Sequence, residues 1–183
     1  MDNKTLDKLY DVMARMKNAE WKADIEAALA LCCSDDMDKQ KHGTYWMRIL
    51  LNLKNYPVPI HQFVEHPDYL GFESKLYPEQ VKLLEKCYPA KDKFGLSVDE
   101  VILTGSLGCL KTSTSLFLLA YHVYLLSLMR FPQINLGLAG NTEFVISLQS
   151  RDDKITRQAI YMPLVNLVNN SYYFKTECIK SIY

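Results

Sequence analysis

The stretch Val101–Phe117 reads VILTGSLGCLKTSTSLF: a β-branched apolar run, a glycine turn, and the start of a long apolar segment. A phosphate-binding loop has Gly, four free positions, Gly, Lys, then Ser or Thr, between a strand and a helix. Counted from Gly105, Lys111 and Thr112 fall in register, and Leu110 stands where the second glycine belongs.

The chemistry behind that spacing is local. Backbone N–H groups of the turn, Gly105, Ser106, Leu107, Gly108, Cys109 and Leu110, and of the first helical turn, Lys111, Thr112 and Ser113, converge on one spot, where the helix dipole adds partial positive charge. Lys111 is then the catalytic cation on the β- and γ-phosphates of ATP, and the Thr112 hydroxyl the ligand to Mg²⁺. The plain alternative is a glycine turn in which Lys111 and Thr112 merely begin a helix. Leu110 weighs on this chemistry, because strained torsions at a branched residue cost about 1–3 kcal/mol, or one to two decades in affinity. Binding survives weakly on that estimate, and turnover suffers more.

Outward from the loop, Ser115–Met129 is apolar almost all round. It is shorter than the roughly 20 residues a membrane span needs, it contains His122 and Ser127, and Arg130 and Pro132 close it. We therefore expect a buried helix and no membrane. A strand through VDEVILTG, this helix, a second strand at FVISLQS from Phe144, and a helix through DDKITRQAIYMPLVNLVNN alternate as in an α/β protein. The expected fold is α/β, an incomplete P-loop NTPase-type parallel sheet preceded by a helical segment. Pro163 is expected to kink or restart the last helix.

Upstream, residues 1–56 read as a helical segment, with Leu6, Leu9, Tyr10, Met13 and Met16 at helical spacing and ADIEAALALCC continuing in strong helix formers. Ser34–Gly43 is a charged connector, TYWMRILLNLKNY is helical again, and Pro57 and Pro59 break it. Residues 57–97 form a leader, with turns at His66-Pro67 and Leu70-Gly71 and a helix that Pro78 starts and Cys87 ends. Residues 98–183 hold the loop, the apolar helix and the C-terminal segments.

Composition sets outer bounds. The chain has 183 residues, 49% of them hydrophobic, enough for a core. Lys plus Arg equal Asp plus Glu at 21 each, so no global basic field points to nucleic acid. The five cysteines show no C-x-x-C pair and no zinc spacing, which suits reduced thiols. The amphipathic N-terminus is not a secretory signal, and a cytoplasmic location is expected.

The order of these segments carries a resemblance. PVPIHQFVEHPDYLG, LYPEQVKLLE, the loop GSLGCLKTS, the apolar helix, RFPQINLGLAGNTEFVISLQS and NNSYYFK together resemble the large terminase subunit of tailed bacteriophages, over approximately residues 57–175. That subunit is the ATPase of a motor that packages viral double-stranded DNA into a procapsid. The resemblance implies ATP and Mg²⁺ as cofactors, and as partners double-stranded DNA, a small terminase subunit, a portal protein and further copies in a homo-oligomeric ring. It implies the cytoplasm of an infected or lysogenic bacterial cell. It also gives Gln80 a role, as the upstream glutamine that contacts adenine; the other reading of Gln80 is an exposed helical side chain.

The family's second acidic motif and its nuclease carboxylates have no counterpart here. Asp152 and Asp153 follow the wrong kind of segment and read as a helix cap. The resemblance therefore implies the N-terminal portion of such a subunit: a fragment, a degenerate prophage remnant, or a protein that docks on a partner. The alternative function is a non-catalytic terminase-like interaction protein without ATP hydrolysis. A kinase-like P-loop protein is a third reading, against which the leader argues. His61 and His66 lack the H-E-x-x-H register for zinc, Cys109 sits where a helix start lowers a thiol pKa, and Trp21 and Trp46 read as packing residues because no basic stripe accompanies them.

Overall fold

The structure is a computed structural model and describes residues 10, 13–14, 16–89, 100–104, 110–149 and 152–178. The chain divides into two compact units: Met1–Tyr56 with Leu128–Thr142, and Pro57–Ser127 with Glu143–Tyr183.

In the first unit, α1 (Ala19–Cys32) and α2 (Met37–Leu51) form a helical hairpin. Each start is capped as its sequence dictates: the Asn18 side chain accepts from Trp21 N, and the Asp36 carboxylate accepts from Asp38 N and Lys39 N. The charged connector expected over Ser34–Gly43 is mostly helix, because α2 begins at Met37. Gly43 lies buried inside α2, where a Cβ would meet Cys32 N at 2.5 Å and Leu31 Cβ at 2.7 Å. Its missing side chain lets the two helices approach, so it serves packing and not a turn.

Beyond α2, Leu53 and Met129 form an isolated antiparallel bridge, with Lys54 N donating to Leu128 O at 2.7 Å and Arg130 N to Asn52 O at 2.9 Å. Arg48 donates to Asn135 O at 2.9 Å, and Asn52 Nδ2 to Asn135 Oδ1 at 3.0 Å, which seats the buried Asn135. Trp21 stacks on Tyr56 and gives its indole N–H to Leu50 O at 3.1 Å, a packing role.

The second unit is built on α3 (Ile60–Glu65), α4 (Pro78–Cys87) and α5 (Lys111–Leu128). One face of α5, Leu116, Phe117, Ala120, Tyr121, Tyr124 and Leu125, is buried at helical spacing. Phe63 of α3, 0% exposed, meets Tyr124 at 4.6 Å and Tyr121 at 5.4 Å between ring centroids, and Tyr69, Tyr173 and Phe174 extend the cluster. The polar ends of these rings are satisfied: Tyr121 Oη donates to Val58 O at 2.8 Å, Val58 N donates to Tyr124 Oη at 3.2 Å, and Ser127 Oγ lies 3.0 Å from Tyr173 Oη. Burial pushes the phenols of Tyr121 and Tyr124 far above their ordinary range, and that of Tyr173 up to about 12.

The expected α/β sheet is not formed: among the described residues there is no strand, and the Leu53–Met129 bridge is outside both expected runs. Val101–Thr104 and Phe144–Gln149 lie in neither helix nor ladder, with Ile102 74% and Val145 83% exposed. β-Branched composition favours an extended backbone, yet a strand also needs a neighbour to take its hydrogen bonds. The apolar helix that implied a sheet beneath it is covered by aromatic rings from other helices and turns. An all-round apolar helix reports burial and does not say what buries it.

The C-terminal helical segment starts at α6 (Asp153–Thr156), passes through a π turn at Arg157–Tyr161, and restarts as α7 (Met162–Asn170) with Pro163 in its first turn. The π turn absorbs the missing proline N–H, as the sequence requires of Pro163. Asp152 caps this segment, its carboxylate accepting from Lys154 N at 2.7 Å.

Candidate functional site

Of the loop, Gly105, Ser106, Leu107, Gly108 and Cys109 lie outside the described residues. From Leu110 onward the junction is defined. Leu110 is the one non-glycine residue with positive φ, 55°, among the described residues, and its side chain is 38% exposed. Lys111 opens α5, with Thr112 exposed and Ser113 partly buried on the same first turn. The backbone at Leu110 thus takes the left-handed region that glycine enters freely and leucine enters at a cost.

Thr114 holds that geometry. It is 2% exposed, and both its N–H and its hydroxyl donate to Leu110 O at 2.9 Å. The same hydroxyl accepts from Gln80 Nε2 at 3.2 Å. Gln80 in turn accepts from Tyr77 N at 3.4 Å, in the manner of a capping-box residue at the start of α4. Gln80 is 9% exposed, so its carboxamide points inward and is engaged at both ends. Nothing in the sequence pattern singles out Thr114; the available cue is a polar residue at a position where the helix turns its buried face inward.

One helical face away, Ser115, Leu118, Leu119 and His122 of α5 join Cys87, Tyr88, Val101 and Leu103 around a cavity of about 350 Å³. Its polar feature is Tyr88 Oη, 3.1 Å from His122 Nδ1. Burial drives the His122 pKa below its ordinary value and that of Tyr88 up to about 12. Both shifts favour a neutral imidazole accepting from a neutral phenol. Burial also raises the pKa of the Cys87 thiol above its ordinary value, against a smaller opposing pull from Lys86.

The remaining candidates are accounted for by ordinary contacts. His61 Nδ1 lies 3.0 Å from Glu85 Oε1, and His66 Nδ1 lies 3.7 Å from Asp68 Oδ2. Among the described residues no group of three His, Cys, Asp or Glu is placed to hold a metal. At the junction before α5, the Thr112 hydroxyl stands without such a group of three beside it among the described residues. Trp46 gives its indole N–H to His42 Nε2 at 2.8 Å. Among the described residues no helix is long and apolar enough to cross a membrane.

No protein-family model matches the chain, and no curated protein or solved structure is detectably similar to it.

Proposed function

We propose that this chain is a terminase-large-subunit-like protein that binds the phosphates of ATP weakly at Leu110–Ser113 and does not turn ATP over by itself. The observation that carries the reading is the backbone of Leu110: φ of 55° at the register position of the loop's second glycine, directly before Lys111 and the 18-residue helix it opens. The reading rests on this junction and on the order of segments in the sequence, not on a sheet. In it, Lys111 neutralises phosphate charge, Thr112 offers its hydroxyl to Mg²⁺, and the cytoplasmic partners are those of a packaging motor: double-stranded viral DNA, a small terminase subunit, a portal ring and further copies of the chain. Hydrolysis is left out of this reading because the Asp99-Glu100 pair precedes the loop, and no apolar run downstream of the loop is followed by such a pair to hold the metal and orient water.

The test is titration of a fluorescent ATP analogue into the wild-type chain, Leu110→Gly and Lys111→Ala. Removing the branched side chain from the cradle should tighten binding roughly tenfold in Leu110→Gly, and loss of the cation should abolish it in Lys111→Ala. Binding that ignores both substitutions would refute the site.

A second reading is favoured by the exposure of Ile102 and Val145: an interaction protein that keeps the segment order and binds no nucleotide. ATP-analogue binding that is lost in Lys111→Ala excludes it.

A further inference from the structure

We propose that Gln80 and Thr114 are positioning residues: together they hold Leu110 in its left-handed backbone, so that the seating of helix α4 sets the phosphate affinity of the loop junction. This inference rests on the nucleotide-binding reading of that junction. It gives Gln80 a task different from touching a base.

The Thr114 hydroxyl has one proton, and it goes to Leu110 O at 2.9 Å. Its lone pair is therefore free to accept, and Gln80 Nε2 donates to it at 3.2 Å. The chain is directional, from Tyr77 N to Gln80 Oε1 and from Gln80 Nε2 through the hydroxyl to the Leu110 carbonyl. Only a side chain with an acceptor at one atom and a donor at the other completes it. Gln80 and Thr114 are both buried, so a missing partner is not replaced by water and the donor left behind is costly. Leu110 would otherwise relax out of the left-handed region, which a leucine leaves readily. The bond spans 34 residues of sequence and is the described polar link between α4 and the start of α5.

Two consequences separate this from plain packing. A glycine at position 110 needs no bracing, so losing the brace should matter less in the Leu110→Gly background. Gln80→Glu, nearly the same shape, would offer only acceptors and draw the Thr114 proton away from Leu110 O.

The experiment is a double-mutant cycle on the full chain, read by affinity for a fluorescent ATP analogue and by urea unfolding midpoint. It uses Thr114→Val, Leu110→Gly and their combination, with Thr114→Ser and Gln80→Glu alongside. Thr114→Val should weaken analogue binding about tenfold in the Leu110 chain and about twofold or less with Leu110→Gly. Thr114→Ser, which keeps the hydroxyl, should restore affinity, and Gln80→Glu should behave like Thr114→Val. Equal losses in both backgrounds would overturn the proposal. If Thr114→Val fails to fold, Gln80→Met runs the same cycle. Should no variant bind the analogue, the nucleotide reading falls, and the unfolding midpoints decide the brace alone: coupled shifts uphold it, additive shifts overturn it.

Discussion

Two apolar regions of the Pro57–Ser127 and Glu143–Tyr183 unit have similar residue types and opposite fates. Around Phe63, the rings of Tyr69, Tyr121, Tyr124, Tyr173 and Phe174 close on one another at centroid distances of 4.6–6.3 Å, each buried or nearly so. In Val101–Thr104 and Phe144–Gln149, largely apolar side chains stand outside any helix or ladder, with Ile102 and Val145 mostly exposed. The first region buries surface because its partners arrive on helices and turns that need no outside help for their own hydrogen bonds. The second needs a ladder before it can pack, and has none. Hydrophobic composition sets the gain available on burial, while backbone hydrogen bonding decides whether it is collected.

The sharpest way to break that contrast is Phe63→Ala. Phe63 is 0% exposed and touches rings on all sides, so its loss should cost about 3–5 kcal/mol in urea unfolding. A cost below about 1 kcal/mol would mean that the aromatic cluster is not the core of this unit.

Next in size is the polar strut at the edge of the same cluster. Ser171, 0% exposed, donates from Oγ to Tyr69 O at 2.8 Å and accepts from Phe174 N at 3.3 Å. Ser171→Ala should destabilise by about 1–3 kcal/mol, since two buried backbone groups lose their partner. An unchanged urea midpoint would show that the rings alone fix this corner.

What the sequence discloses divides along the same line. Helix starts are legible where one residue carries the cause: Pro78 for α4, Asp152 before α6, Pro163 for the break that becomes a π turn. The buried face of α5 is legible as apolar spacing. The expected sheet fails because Val101–Thr104 and Phe144–Gln149 satisfy the local preference for a strand and carry no information about a neighbour. Gly43 reads as the end of a connector because closeness between α1 and α2 is a tertiary fact. At the site, Lys111 and Thr112 can be placed from spacing at the start of α5. The Gln80–Thr114 bond cannot, because it joins segments 34 residues apart through one hydroxyl.

A smaller effect tests the cavity side of α5. Burial lowers the His122 pKa below the ordinary 6.5, so the unfolded chain takes up a proton at a pH where the folded chain does not. Its contribution to stability is therefore fully present above about pH 6.5 and is lost as pH falls through the window down to the lowered folded value. His122→Gln should flatten that acid limb of the urea midpoint while leaving its neutral-pH position within about 1 kcal/mol, the worth of the Tyr88 contact. An acid limb unchanged by His122→Gln would assign it to other groups and leave the Tyr88–His122 pair without a role in folding.

The smallest effect is the most instructive about these two unpaired runs. Val145 is 83% exposed and in no ladder, so Val145→Ser removes little buried area and no hydrogen bond, and its urea midpoint should stay within about 0.5 kcal/mol of wild type. The same substitution in a paired, half-buried strand would give up much of a valine's burial, on the order of 1.5 kcal/mol or more. The measurement thus distinguishes the two arrangements by a margin larger than its own error. Repeating it with Ile102→Ser doubles the test, because Ile102 lies between Val101 and Leu103, which face the cavity. A neutral result at both positions would show that these runs contribute their shape and not their burial, and a cost of a kilocalorie or more at either would mean that this run packs against something in solution.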